Sequence, residues 1–170
     1  MKLKVLETDR PWYAGGLKFT CTQCGNCCTG GPGYVWISVE EIQRLADFLK
    51  LDRQEVIRRY CRRLGGRYSL NEARNAQGSY DCLFLKEEQT PPRPGQITHT
   101  RRTCQIYPVR PLQCRTWPFW EGNLSSEEDW NRAAERCPGM SRGKHYPVER
   151  IVELRDAEDW PDKPPGPRRR

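Results

Sequence analysis

The chain has 170 residues, a formal net charge of +7 and 9 cysteines. Leu, Ile, Val and Phe make up 30 of the 170 residues, below the roughly 20% expected of a self-sufficient apolar core. So low an aliphatic content beside a net positive charge excludes a large oily core and would by itself point to disorder. The cysteines point the other way, because metal ligation by thiolates supplies folding free energy directly, on the order of 10 kcal/mol for a structural zinc.

The first ten residues carry charges through their short apolar run, so they contain no signal-peptide core. The longest apolar runs, such as Tyr34-Val35-Trp36-Ile37, are too short to span a bilayer. Both features predict a cytoplasmic protein with no membrane partner. Thiols there stay reduced, and the odd cysteine count also argues against a disulfide framework.

In chain order, residues 1–18 read as a lead-in: a short strand within 1–10, then aromatics from Trp12 to Phe19 forming an apolar wall. Next come Cys21, Cys24, Cys27 and Cys28, four thiols within eight residues. Sulfurs three positions apart can converge on one metal when a tight turn folds the intervening residues back. A redox dithiol would need only one such Cys-x-x-Cys pair. The side chains of neighbouring Cys27 and Cys28 are expected to diverge, toward different metals or different sides of one cluster.

Tyr34 to Ile37 reads as a strand. Ser38-x-x-Glu41 is a capping box, and Ile42, Leu45, Ala46 and Leu49 at i, i+3, i+4, i+7 predict a helix over 39–50. Asp52-x-x-Glu55 opens a second helix, running to the Gly65-Gly66 stop, whose apolar face carries Val56, Ile57, Tyr60, Cys61 and Leu64. Cys61 is therefore read as a core residue rather than a ligand. Short strands are predicted over 67–70 and 81–85, and an exposed proline-rich loop over 87–96. Pro111 suits the first turn of a short helix that Pro118 ends. Ser125-x-x-Glu128 opens a helix near 126–136, and a last helix covers 147–155 with Val148, Ile151 and Val152 as its apolar positions. Residues 156–170 read as a disordered tail.

The ordered blocks Cys21-x2-Cys24-Gly25-x-Cys27-Cys28, Cys82-x-Phe84-Leu85, Cys104-x-Ile106-Tyr107-x2-Arg110-Pro111-x2-Cys114-Arg115-x-Trp117-Pro118-Phe119 and Cys137-Pro138-Gly139 resemble the YkgJ-like cysteine-cluster family. That family is described as zinc- or iron-chelating. The resemblance implies metal ligation by Cys21, Cys24, Cys27, Cys28, Cys82, Cys104, Cys114 and Cys137, and it leaves Cys61 outside the pattern.

Which metal is bound stays open at this level. Cys21-x2-Cys24-x2-Cys27 matches the first three ligands of a ferredoxin-type run, with Cys137-Pro138 as a remote fourth; this favours an iron–sulfur cluster of the 4Fe–4S type. Cys-x-x-Cys-Gly turns also serve zinc, and eight thiolates divide into two sites of four. Eight thiolates with two divalent cations would lower the net charge to about +3, so part of the arginine excess is compensation. Arg110 and Arg115 flank Cys114 and are the candidate cofactor-contacting cations. Trp117, Phe119 and Trp120 are read as an apolar shell, and His99 and His145 as non-ligands.

The expectation is an α+β fold: a small, metal-organised single domain over 19–155 with short helices, short strands and long loops. Its function would be chelation in redox or metal handling; the alternative is a zinc-stabilised binding module without catalysis. No nucleophile–base or phosphate-loop motif marks an enzyme. Nucleic acid is not an expected partner, and the sequence names no partner protein.

Overall fold

The computed structural model describes residues 10–90 and 99–157. The strand expected within residues 1–10, the proline-rich loop beyond Thr90 and the tail beyond Ala157 lie outside them. The fold is α+β, as its sequence predicts, with strands no longer than seven residues gathered into four small sheets.

The first half forms around the helix α1 (Val39–Leu49). Ser38 Oγ accepts the Glu41 N–H at 3.2 Å while the Glu41 carboxylate accepts the Ser38 N–H at 3.1 Å, the reciprocal cap that the Ser-x-x-Glu spacing predicts. Ile42, Leu45 and Ala46 are completely buried on its inner face. The helix α2 (Arg53–Tyr60) starts at Asp52, whose carboxylate accepts the Gln54 N–H at 2.7 Å.

That helix ends four residues earlier than its apolar periodicity predicts. Cys61–Leu64 is a strand paired antiparallel with Arg67–Leu70, joined through Gly65 and Gly66 at φ 53° and 87°. Two consecutive glycines at positive φ make a tight hairpin turn rather than a simple helix stop. Cys61 therefore reaches the core from a strand, not from a helix face, and is 8% exposed. A third strand, Trp36–Ile37, completes this sheet.

Glu72–Arg74, Tyr80–Cys82 and Thr29–Gly30 form a second three-stranded sheet. A two-stranded ribbon pairs Leu85–Thr90 with His99–Cys104, so residues 87–90, expected as loop, are strand. Glu87 bonds Arg102 across it at 2.7 Å, a cross-strand ion pair that the loop reading could not anticipate.

The second half brings three helices: α3 (Leu112–Thr116), α4 (Glu121–Leu124) and α5 (Glu127–Arg136). Pro111 precedes the first and Pro118 follows it, as expected. The cap of α5 is Ser126, bonded to the Asp129 N–H at 3.1 Å, one residue later than the Ser125 expected from sequence. The strand Met140–Tyr146 pairs with Leu17–Phe19, a partner from the far end of the chain that local pattern does not show. The chain then enters α6 (Val148–Asp156), which buries Ile151. Among the described residues no helix is long and apolar enough to cross a membrane.

Two separate apolar clusters result. The first holds Ile37, Ile42, Leu45, Ala46, Val56, Cys61, Leu70, Phe84 and Ile106, with Cys82 and Cys104 packed against it. The second holds Tyr13, Phe19, Phe119, Leu124, Trp130, Cys137, Met140 and Ile151, with Cys21 and Trp117 packed against it.

Glu41 links the two halves. Its carboxylate is nearly buried, and Oε1 accepts the Leu112 N–H at 2.7 Å and an Arg115 N–H at 3.3 Å. One side chain thus caps α1 and the start of α3. Glu41→Ala removes both caps and leaves the Leu112 N–H without its acceptor, so it is expected to cost about 2–4 kcal/mol. A urea-denaturation midpoint measures this, and a loss under about 0.5 kcal/mol would show that the link is dispensable.

Candidate metal centre

The cysteines sit where elements end. Cys21 and Cys24 follow the strand Leu17–Phe19, and Cys27 and Cys28 lie in a single 3₁₀ turn over Asn26–Cys28. Gly25 precedes that turn at φ 72°, and its carbonyl accepts the Cys28 N–H at 2.9 Å. An L-residue pays a steric penalty at that φ, and a side chain here would also meet Arg102 and Leu85. Cys82 ends the strand Tyr80–Cys82 and Cys104 ends His99–Cys104, while Cys114 lies mid-way along α3. Cys137 closes α5, and the Thr20 N–H bonds the Gly139 carbonyl at 3.1 Å, which holds the Cys137 turn beside the Cys21 loop.

These ends meet at the seam between the two apolar clusters. Cys21, Cys24, Cys27, Cys28, Cys82, Cys104, Cys114 and Cys137 all line one cavity of about 50 Å³, and Cys61 does not. Phe19, Leu70, Ile106, Pro111 and Trp117 supply its apolar wall. Arg110 is the one charged residue among the described residues that line it. Its guanidinium lies 3.6 Å from the Tyr107 ring centroid, and its Nε donates to the Tyr107 carbonyl at 3.0 Å. Arg115 lies outside the cavity, turned to the Arg110 carbonyl at 3.0 Å and to Glu41. Of the three aromatics read as a shell, Trp117 alone lines the cavity; Phe119 is buried in the second cluster. His145 bonds the Gly15 carbonyl at 3.1 Å, away from the thiols.

The thiols interact directly. Cys27 Sγ and Cys28 Sγ are 3.9 Å apart, so the vicinal side chains converge instead of diverging. Residues of a 3₁₀ turn advance by about 120° rather than the 180° of a strand, which lets adjacent side chains share one side. Sequence reasoning missed a further contact, the Trp117 indole N–H on Cys137 Sγ at 3.4 Å. Trp117 was visible in the motif, but nothing in the spacing said which sulfur it would meet.

Charge is rationed among these groups. Hydrogen bonding from Cys28 lowers Cys27 and Cys104 to about 7, with Arg110 assisting both. Cys28 itself is driven strongly upward by bonds to Cys104 and Cys27, and by burial. Burial raises Cys82 to about 11 and pushes Cys114 up as well. One guanidinium cannot offset eight thiolates; a multiply charged cation at the centre would, because a coordinated thiol is deprotonated outright.

The donor set therefore fits zinc or iron in type and number. Among the described residues no three His, Cys, Asp or Glu side chains converge closely enough to hold a single ion. The thiols instead surround a space with room for several atoms.

Fold and site together define an α+β domain centred on a polycysteine cavity. Residues 20–138 match the CxxCxxCC family, described as "Putative zinc- or iron-chelating domain", and the chain belongs to that family. It is also similar to "Uncharacterized protein MJ0661" of Methanocaldococcus jannaschii, 29% identical over 119 residues. That match takes in 70% of this chain and 53% of the relative, so the chain spans about half the length of the curated relative. No solved structure matches.

The cysteine turn should be intolerant of a side chain at its entrance. Gly25→Ala is expected to cost about 2–4 kcal/mol through the positive φ and the contacts with Arg102 and Leu85. Gly122→Ala, with open space around a helical glycine, should be neutral or stabilise by up to about 1 kcal/mol. Unfolding midpoints of the two variants check the contrast; equal midpoints would show that the turn is not constrained.

Proposed function

We propose that the chain holds a thiolate-ligated metal centre through Cys21, Cys24, Cys27, Cys28, Cys82, Cys104, Cys114 and Cys137, with Arg110 offsetting its charge. The observation that carries this reading is the partition of the nine cysteines: eight border one cavity, and Cys61 lies within an apolar cluster. Arg115 acts on the centre only through its bond to the Arg110 carbonyl and its pairing with Glu41.

An iron–sulfur centre of the 4Fe–4S type, which takes four thiolates per cluster, is the form the features support best. The Cys21-x2-Cys24-x2-Cys27 run has ferredoxin spacing. Eight thiols around one cavity would supply the ligands for a cluster that carries its own sulfides. The Trp117 N–H on Cys137 and the apolar wall are the kinds of contact that set a cluster's potential. Such a centre supplies one-electron chemistry when bound. The chain's own residues hold it by thiolate, screen it with Phe19, Leu70, Ile106 and Trp117, and balance its charge at Arg110. In a cytoplasmic setting this equips the protein for redox work or metal handling.

A second reading rests on one distance. The 3.9 Å between Cys27 and Cys28 sulfurs matches the roughly 3.8 Å edge of a tetrahedral zinc site. Zinc would make the chain a metal-stabilised binding module without catalysis.

Anaerobic purification followed by elemental analysis and a visible spectrum on one sample separates the two. Iron with acid-labile sulfide and broad visible absorption supports the first reading, and a colourless protein with stoichiometric zinc sinks it. In the same assay Cys61→Ala should keep the metal-to-protein ratio and lose roughly 1–2 kcal/mol of stability. Cys114→Ala should lose metal or fail to accumulate as soluble protein. If Cys61→Ala loses metal as completely as Cys114→Ala, the eight-ligand assignment is wrong.

A further inference from the structure

A second, larger recess adjoins the cysteine cavity and takes no part in holding it. It is a cleft of about 400 Å³ between the 3₁₀ turn and the helices α4 and α5. That volume lies in the range of small-molecule sites, roughly 300–1,000 Å³. Cys27, Trp117 and Cys137 line both recesses, so the cleft runs along one edge of the thiol cluster. Cys27 is the exposed member of that cluster.

Asn26, Thr29 and Asn123 give the cleft polar edges, and one wall is apolar in a specific way. Trp117 and Trp120 meet edge to face with centroids 4.8 Å apart. Both indole N–H groups are engaged inside the protein, Trp117 on Cys137 Sγ and Trp120 on the Gln113 carbonyl at 3.0 Å. The indoles therefore offer the cleft carbon surface, and Ala133 adds a methyl group.

The charge of the cleft is equally specific. Asp129 is its only acid among the described lining residues, and both its oxygens are used: Oδ2 by the Ser126 hydroxyl at 2.8 Å, Oδ1 by Arg132 at 2.8 Å. Arg132 is thereby neutralised. Arg136 has no carboxylate partner among the described residues; one of its N–H groups donates to the Thr29 carbonyl at 3.1 Å. A guanidinium has five donors in a fork that matches a carboxylate. One uncompensated Arg beside apolar aromatic walls selects for an anion with an apolar body.

We propose that this cleft binds a small organic carboxylate, its planar apolar body against Trp117, Trp120 and Ala133 and its carboxylate on Arg136. The ligand then lies against the Cys27–Cys137 edge of the thiol cluster. This goes beyond chelation and holds for either metal.

Isothermal titration of the protein as purified, with metal content recorded on each sample, tests the proposal. The probes are benzoate, its uncharged analogue benzamide, and inorganic phosphate. Benzoate is expected to bind saturably and at least tenfold more tightly than benzamide or phosphate. Arg136→Gln should weaken benzoate at least tenfold, whereas Arg132→Gln should change it less than threefold. Trp120→Ala should weaken benzoate and leave phosphate unaffected. Folding of each variant is checked by its thermal midpoint; Arg136 is exposed, so its replacement should not disturb the fold. Absence of saturable benzoate binding, equal binding of benzamide or phosphate, or indifference to Arg136→Gln would each overturn the proposal. Benzoate binding without metal would sink the chelation reading alone, and metal without benzoate binding would sink this one alone.

Discussion

The fold is organised about the seam between two small apolar clusters, which eight cysteines line. Each cluster holds fewer than ten buried residues, and each includes a cysteine among them. Burial of a large apolar side chain stabilises by about 1.5–3 kcal/mol, while ordering a residue's backbone costs about 1–2 kcal/mol. With so few aliphatic residues, neither cluster has much surplus. Cysteines stand on both sides of the seam: Cys82 and Cys104 pack on the first cluster, Cys21 on the second, and Cys137 belongs to the second. Thiols that only touched would add little. Thiolates tied to a common centre would join the two halves with bonds far stronger than dispersion contacts.

The surrounding structure reads as a means of delivering sulfurs to that seam. Strand ends bring Cys82 and Cys104, a helix exit brings Cys137, and one tight turn brings Cys27 and Cys28. Short elements suffice because each has only to end at the right place. A long-range polar link, Glu41 to the start of α3, positions the helix that carries Cys114. A carboxylate held by its own helix cap and by a distant N–H resists rotation, so the helix start is fixed from outside the thiol cluster.

What the sequence made legible follows from how local each signal is. The capping box at Ser38 and the apolar positions of α1 lie within one helix, and they read correctly because periodicity and cap chemistry act over about four residues. Cys61 was legible as a core residue but not as a strand residue. Its apolar neighbours fit a helical period, and only the pairing with Leu70 decides otherwise. The strand Met140–Tyr146 was not legible at all: its sequence, Met-Ser-Arg-Gly-Lys-His-Tyr, is mostly polar, and its partner is the distant Leu17–Phe19. The eight cysteines of the family resemblance do line one cavity, whereas the convergence of Cys27 with Cys28 depended on the 3₁₀ geometry of their turn. Arg110 and Arg115 looked equivalent beside Cys114. The difference between them is set by Glu41, a residue 74 positions before Arg115 that draws it outward.

The same asymmetry distinguishes the two edges of the thiol cluster. Pro111, Ile106, Leu70 and Arg110 line the thiol cavity and not the cleft. On the Cys27 side the wall opens into a cleft with aromatic surface and an uncompensated guanidinium. A metal that only builds a fold is best served by closure on every side, since access invites exchange and oxidation. An open edge beside a recess large enough for a small molecule has no such structural use. The exposure of Cys27 beside that recess therefore asks for a reason other than joining the two halves.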